Sequence, residues 1–174
     1  MPLELSLFLL LGILLLLPTA YAAKIGAPYA PTFIAAIKKT FDYIGVDSSD
    51  VLVDLGAGDG KVLIEATRRG ARAIGYELSP IMWAIAWIRL QGRGRGARVK
   101  LNNFFNQTLP ADTTLIFTFL MPENMHKIDT YLQKQKLPQL RFLLAYAFPI
   151  KERDPVHVVR TEKCAPVYIY DLTQ

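Results

Sequence analysis

Two periodicities alternate along this chain, and its first segment has neither. From Leu5 to Ala23, nineteen residues pass without a charge. Wound as a helix at about 1.5 Å per residue, that run reaches roughly 28 Å, close to the hydrocarbon thickness of a bilayer. Pro28-Tyr29-Ala30-Pro31 follows as a stiff, extended connector, because each proline fixes its own φ and restricts its predecessor. Phe33, Ile34, Ile37, Phe41 and Ile44 then recur at helical spacing, with Thr32 as cap and Gly45 as stop.

The rest alternates strands with helices. Val51–Leu55, Arg72–Glu77, Ala97–Leu101, Thr114–Phe119 and Leu140–Phe148 read as strands. Lys61–Arg69 and Pro122–Gln135 read as helices, as does a segment from Pro80 to about Gln91 with Ser79 as its cap. Gly92–Gly96 reads as an Arg-Gly loop. Val156–Arg160 and Val167–Leu172 alternate β-branched and aromatic residues with no long helix between them, which predicts an antiparallel pair. This order predicts an α/β sandwich around a mostly parallel sheet with an antiparallel C-terminal edge. We divide the chain into an apolar segment (1–23), a connector and helix (24–50) and the α/β domain (51–174).

The apolar segment has two readings. Ala20-Tyr21-Ala22 resembles a signal-peptide cleavage site, but only Glu4, and no Lys or Arg, precedes the run. The first positive charges come after it, at Lys24, Lys38 and Lys39. These flanks favour a retained single-pass anchor, with the following domain on the cytoplasmic or matrix-equivalent face. Of 174 residues, 20 are basic and 15 acidic, and twelve of the basic ones lie between Lys24 and Lys100. Excess positive charge near the anchor suits a lipid bilayer as partner and is too mild to indicate nucleic acid. A single cysteine and two widely separated histidines, His126 and His157, predict no metal site.

The chemistry concentrates at Asp54-Leu55-Gly56-Ala57-Gly58-Asp59-Gly60, between a strand and a helix. Glycines there let the backbone turn sharply and a ligand approach closely. A dinucleotide fingerprint needs its third glycine where Lys61 stands; a Walker loop needs Ser or Thr where Val62 stands. The remaining reading is the nucleoside-binding loop of S-adenosylmethionine (SAM) methyltransferases, with Asp54, Gly56, Gly58, Asp59 and Gly60 at the cofactor. Glu77 ends the second strand 17 residues past Gly60, where an acid accepts hydrogen bonds from ribose hydroxyls. Asn102 and Asn103, just past the third strand, suit an adenine-edge contact or a turn.

Pro28-Tyr29-x-Pro31-Thr32, the glycine motif through Lys61, and Gly75-Tyr76-Glu77-Leu78-Ser79-Pro80 together resemble the membrane-anchored lysine methyltransferases of the ATP synthase c-subunit and the ADP/ATP carrier. The similarity runs from about Pro28 to the C-terminus and includes Met121-Pro122 and Ala147-Phe148-Pro149. It implies a Rossmann-like, class I, seven-strand methyltransferase fold, SAM as cofactor, and an integral membrane protein as substrate. Tyr29 in the connector, with Glu123 and Asn124 after the fourth strand, are the candidate catalytic groups. A small-molecule or lipid methyltransferase, or a non-catalytic tethered module, remains open on the same fold. Trp83 and Trp87 share one helix face and read as packing or as residues of a membrane interface; Arg93 and Arg95 read as solvated or as headgroup contacts.

Overall fold

A computed structural model describes residues 2–25, 33–92, 96–151, 153–162 and 164–173. The apolar run forms α1 (Leu3–Ile25), so the helix continues past Ala23 through Lys24 and Ile25. Pro18 lies inside it, and the Thr19 hydroxyl donates to the Leu15 carbonyl at 2.7 Å one turn back. Its Leu3–Tyr21 stretch has a mean hydropathy of 2.2, and none of it is buried against the domain. By length and composition it is able to cross a membrane. Helix α2 (Ile34–Ile44) ends at Gly45 in the left-handed conformation, as its sequence predicts. Thr32, the predicted cap, lies outside the described residues, as do Tyr29, Arg93 and Arg95.

Seven strands form one sheet: β1 (Val51–Leu55), β2 (Arg72–Glu77), β3 (Ala97–Leu101), β4 (Leu115–Thr118), β5 (Phe142–Tyr146), β6 (His157–Thr161) and β7 (Cys164–Asp171). Their order is β3-β2-β1-β4-β5-β7-β6. The first five are parallel, and β7 runs antiparallel between β5 and β6. Helices α3 (Lys61–Arg68), α4 (Pro80–Leu90) and α5 (Pro122–Gln133) connect the parallel strands. A short 3₁₀ turn at Phe104–Asn106, unpredicted from the sequence, follows β3.

Strand alternation sorts the core into two layers. Leu52, Leu115, Phe117 and Leu144 pack with α2 and α3 through Ile37, Phe41, Leu63 and Ala66. Val53, Leu55, Ile116 and Leu143 pack on the other side with α5 and the 3₁₀ turn through Ile128, Tyr131 and Phe104. Both layers meet at β1, which pairs with β2 on one side and β4 on the other. Strand order reverses there, and ligands of open α/β sheets bind beyond such a switch point.

Candidate active site at the switch point

The turn after β1 is built from backbone the glycines alone adopt easily. Gly56, Gly58 and Gly60 have φ of 109°, 53° and 80°, values that a side chain makes costly. The amides of Gly56 and Ala57 both donate to the Tyr76 carbonyl, at 3.0 and 2.9 Å, which folds the turn back over the end of β2. Gly75 makes that close approach possible. A Cβ there would lie 2.6 Å from the Ala57 Cβ and 2.7 Å from the Leu63 Cδ1.

Glu77 then closes the turn. Its Oε2 accepts from the Gly58 amide and its Oε1 from the Ser79 amide, each at 2.7 Å. Burial raises its pKa above the usual glutamate value, while the amides of Ser79, Gly58 and Leu78 pull it down. Ser79 also caps α4, its hydroxyl accepting from the Met82 amide at 3.3 Å. That hydroxyl lies 3.2 Å from the Thr19 hydroxyl of α1. The apolar helix thus packs against α4 at the rim of the turn.

Asp54, the next-to-last residue of β1, is buried, and among the described residues its Oδ1 has no hydrogen-bond partner. Burial, then the charges of Glu77 and Asp59, raise its pKa well above the ordinary aspartate value. A buried, unsatisfied carboxyl oxygen beside a glycine turn fits a cationic ligand, because such an atom is costly to leave unmade. SAM carries an ammonium and a sulfonium, so the residues present fit that group. The Asp59 carboxylate is engaged by Arg89 of α4 and by Lys61 at 3.1 Å, which fastens the turn to two helices. Sequence reasoning missed Arg89. Its signal was there: it is the single charge in an otherwise apolar helix.

The other predicted residues divide. The Asn102 amide donates to the Glu77 carbonyl at 2.9 Å, so β3 delivers it beside Glu77. The Asn103 side chain caps the 3₁₀ turn, its Oδ1 accepting from the Phe105 amide at 3.1 Å, which is the turn role the sequence left open. Glu123 is exposed in the first turn of α5; Asn124 is buried, and its Oδ1 accepts from Lys127 Nζ at 2.8 Å. Ala147, just past the end of β5, has a φ of 68°, while the Phe148 amide donates to the Tyr146 carbonyl at 2.9 Å. A non-glycine residue held there stores strain beside the strand ends, and nothing in the residue type announced it.

Residues 54–157 match the ANTKMT methyltransferase domain. The chain belongs to this family. It is a SAM-dependent methyltransferase. Among its relatives, a protein-lysine N-methyltransferase of Saccharolobus islandicus is 29% identical over 140 residues, covering 78% of this chain and 85% of that protein. An ATP synthase c-subunit lysine N-methyltransferase of Xenopus laevis is 26% identical over 153 residues, covering 86% of this chain but only 65% of the relative's length. The crystal structure of an RNA methyltransferase from Salinibacter ruber with S-adenosyl-L-homocysteine superposes with a TM-score of 0.75 at 24% identity, covering 83% of this chain and 95% of that one. At that identity the likeness concerns the fold, and it agrees with the seven-strand class expected of the ANTKMT family.

Proposed function

We propose that this protein is a membrane-anchored protein-lysine N-methyltransferase acting on a lysine of an integral membrane protein. The observation that carries the reading is the Thr19–Ser79 contact. It sets a helix long enough to span a bilayer against the residue whose amide Glu77 holds. Lysine as acceptor rests on the relatives' names. A membrane substrate rests on the ATP synthase c-subunit methyltransferase among them and on α1. Lys24 after the apolar run, with none before it, supports a domain on the cytoplasmic or matrix-equivalent face.

SAM, when bound, supplies an activated methyl group on a sulfonium. The chain's own residues bind and orient. Gly56, Gly58 and Gly60 make room, Glu77 receives ribose hydroxyls, Asp54 meets positive charge, and Asn102 lines the adenine side, with Asn103 capping the turn beside it. An attacking lysine must first lose a proton, which at pH 7 costs about 4.6 kcal/mol from a free pKa near 10.4. Desolvation lowers that cost. Tyr29, Glu123 and Asn124 are the groups we assign to the acceptor amine, the Glu123 carboxylate to take its proton and Tyr29 and Asn124 to orient it. The test is methyl transfer from labelled SAM to reconstituted membrane proteins, read by intact mass. Label on lysine of a bilayer-embedded substrate is the expected result. Label only on lipid or small molecules would replace this reading with the other methyltransferase class.

A further inference from the structure

Helix α4 is almost wholly apolar in composition yet is not enclosed by the core. Pro80-Ile81-Met82-Trp83-Ala84-Ile85-Ala86-Trp87-Ile88-Arg89-Leu90 is apolar on every side except at Arg89, which is turned to Asp59. Yet only Ala86 and Leu90 are buried. Trp87 is 50% exposed and Ile88 64%. A helix hydrophobic all round normally lies inside a large core or in a membrane. Here the first two turns are half-buried, and Trp87 and Ile88 stand open to solvent. Beside its last turn lies an open cleft of about 640 Å³, lined by Trp87 and Leu90 of α4 and by Arg98 and Lys100 of β3.

Three observations decide what covers this face. The first is continuity: α1 packs against α4, with Thr19 at the Ser79 cap. Thr19 lies toward the domain end of α1, so if α1 spans a bilayer, α4 begins near the headgroup level on the domain side. The second is charge. From Leu78 to Ala111 the chain holds five basic residues and no acidic one; Arg89 is held by Asp59, and the other four complement anionic headgroups. The third is residue type. Tryptophan is favoured at the boundary of hydrocarbon and headgroup, where its ring is half apolar and half polar. Trp83 already shows that division, its ring partly buried and its indole N–H donating to the Val99 carbonyl at 3.2 Å.

We propose that the exposed face of α4 is a second membrane contact, lying in the interface of an anionic bilayer with Trp87 and Ile88 in the acyl boundary. It rests on the reading of α1 as an anchor and adds what α1 alone does not supply. A single helix lets a domain swivel about its axis; a second contact fixes which side of the domain faces the lipid. Because Ser79 joins α4 to Glu77, that orientation sets the crevice at a constant height over the surface.

Trp83 and Trp87 are the chain's two tryptophans, so intrinsic fluorescence reports α4 directly. The full chain carrying Trp83→Phe is reconstituted in vesicles of phosphatidylcholine and phosphatidylglycerol with brominated acyl chains, which quench only at short range. The expected result is co-flotation with the vesicles, a blue shift, and a roughly two-fold loss of Trp87 emission relative to unbrominated vesicles. Wild-type protein measured alongside guards against a folding defect in the variant, and Trp87→Phe should remove most of the quenching. Protein that floats yet stays unquenched keeps the anchor and overturns the α4 contact. Protein that fails to float overturns both. Quenching or shielding of Trp87 that appears only when a membrane-protein substrate is co-reconstituted assigns the face to protein and overturns the lipid proposal.

Discussion

Gly58 and Glu77 are joined by a 2.7 Å hydrogen bond from the glycine amide to the carboxylate, across the turn that follows β1. The same carboxylate holds the Ser79 amide with its other oxygen. One side chain therefore shapes the glycine turn, fixes the start of α4 and faces the place where ribose hydroxyls are expected. Glu77→Ala should remove all three at once. Hydrogen bonds to a charged group contribute about 1.5–3 kcal/mol, so SAM affinity should fall roughly ten- to a hundredfold. Calorimetric titration measures it. Wild-type affinity in the variant would mean that Glu77 serves the turn alone.

Asp54 gives the site a pH signature. Its folded pKa is raised, by burial first and then by Glu77 and Asp59. The apo protein therefore holds a proton there more tightly than the unfolded chain does. This group's contribution to stability is full below its ordinary value of 3.8 and is lost as pH rises through the raised value. Calorimetric unfolding of wild type and Asp54→Asn should show the wild type losing stability relative to the variant across that window. A positively charged ligand favours the carboxylate, so SAM binding below the raised pKa should release protons. Titrations in buffers of different ionisation enthalpy count them, and Asp54→Asn should reduce the number. Identical apparent enthalpies in all buffers would exclude this role.

Gly75 tests packing rather than chemistry. A methyl group there would meet Ala57 and Leu63 well inside normal contact distances, and the Ala57 side of the clash is fixed to the glycine turn. Gly75→Ala should cost about 1–3 kcal/mol, as overpacking of a dense core does. Thermal unfolding should show Tm several degrees lower. An unchanged Tm would mean that the turn shifts freely, and the close approach would lose its significance.

For the acceptor side, Tyr29→Phe, Glu123→Gln and Asn124→Ala should each lower kcat on a lysine substrate while leaving SAM affinity near that of wild type. A general acid–base group contributes about 10²–10⁴-fold in rate, which sets the expectation for Glu123→Gln; the loss for the two positioning residues should be smaller. A variant that loses SAM binding and turnover together belongs to the cofactor site or to the fold instead. Asn124 has a further role to separate, since its carbonyl accepts from Lys127; Asn124→Asp keeps that acceptor and should preserve stability.

Much of this architecture was legible in the residues because local signals and burial agree. Val51–Leu55, Arg72–Glu77 and Ala97–Leu101 form strands with the boundaries their sequence predicts. Gly45 and Ser79 stop and start helices as turn and cap chemistry require. What stayed hidden depends on tertiary neighbours. The Arg89–Asp59 pairing joins residues thirty apart. The left-handed Ala147 follows from the chain turning out of β5 against Pro166, whose carbonyl accepts from the Ala147 amide at 2.8 Å. The position of β7 between β5 and β6 is set by sheet pairing, which alternation alone does not order. The extension of α1 past Ala23 escaped a hydropathy reading because Lys24 is charged yet helical.

That extension tightens the link between anchor and chemistry. With α1 helical to Ile25, only Gly26 and Ala27 separate it from Pro28. Two extended residues reach about 7 Å. On the proposed reading of α1 as an anchor, a domain held so closely would meet membrane-borne lysines at high effective concentration and others hardly at all, and such tethering is worth about 10²–10⁴ without any new contact. Deleting Met1–Ala23 removes Thr19 but leaves the Gly58–Glu77–Ser79 bonds within the domain, so SAM binding should survive. Methylation of a bilayer-embedded substrate should fall roughly a hundredfold in kcat/KM, while the rate on a detergent-solubilised substrate should change little. Restoring the helix with a flexible insert after Ala27 should recover the rate and broaden the set of lysines reached, mapped by peptide mass. The connector from Pro28 to Thr32 must be kept in each protein, since Tyr29 belongs to it. A truncated enzyme that methylates bilayer-embedded substrate at the full rate would show that α1 takes no part in catalysis, and a soluble acceptor would then account better for the site.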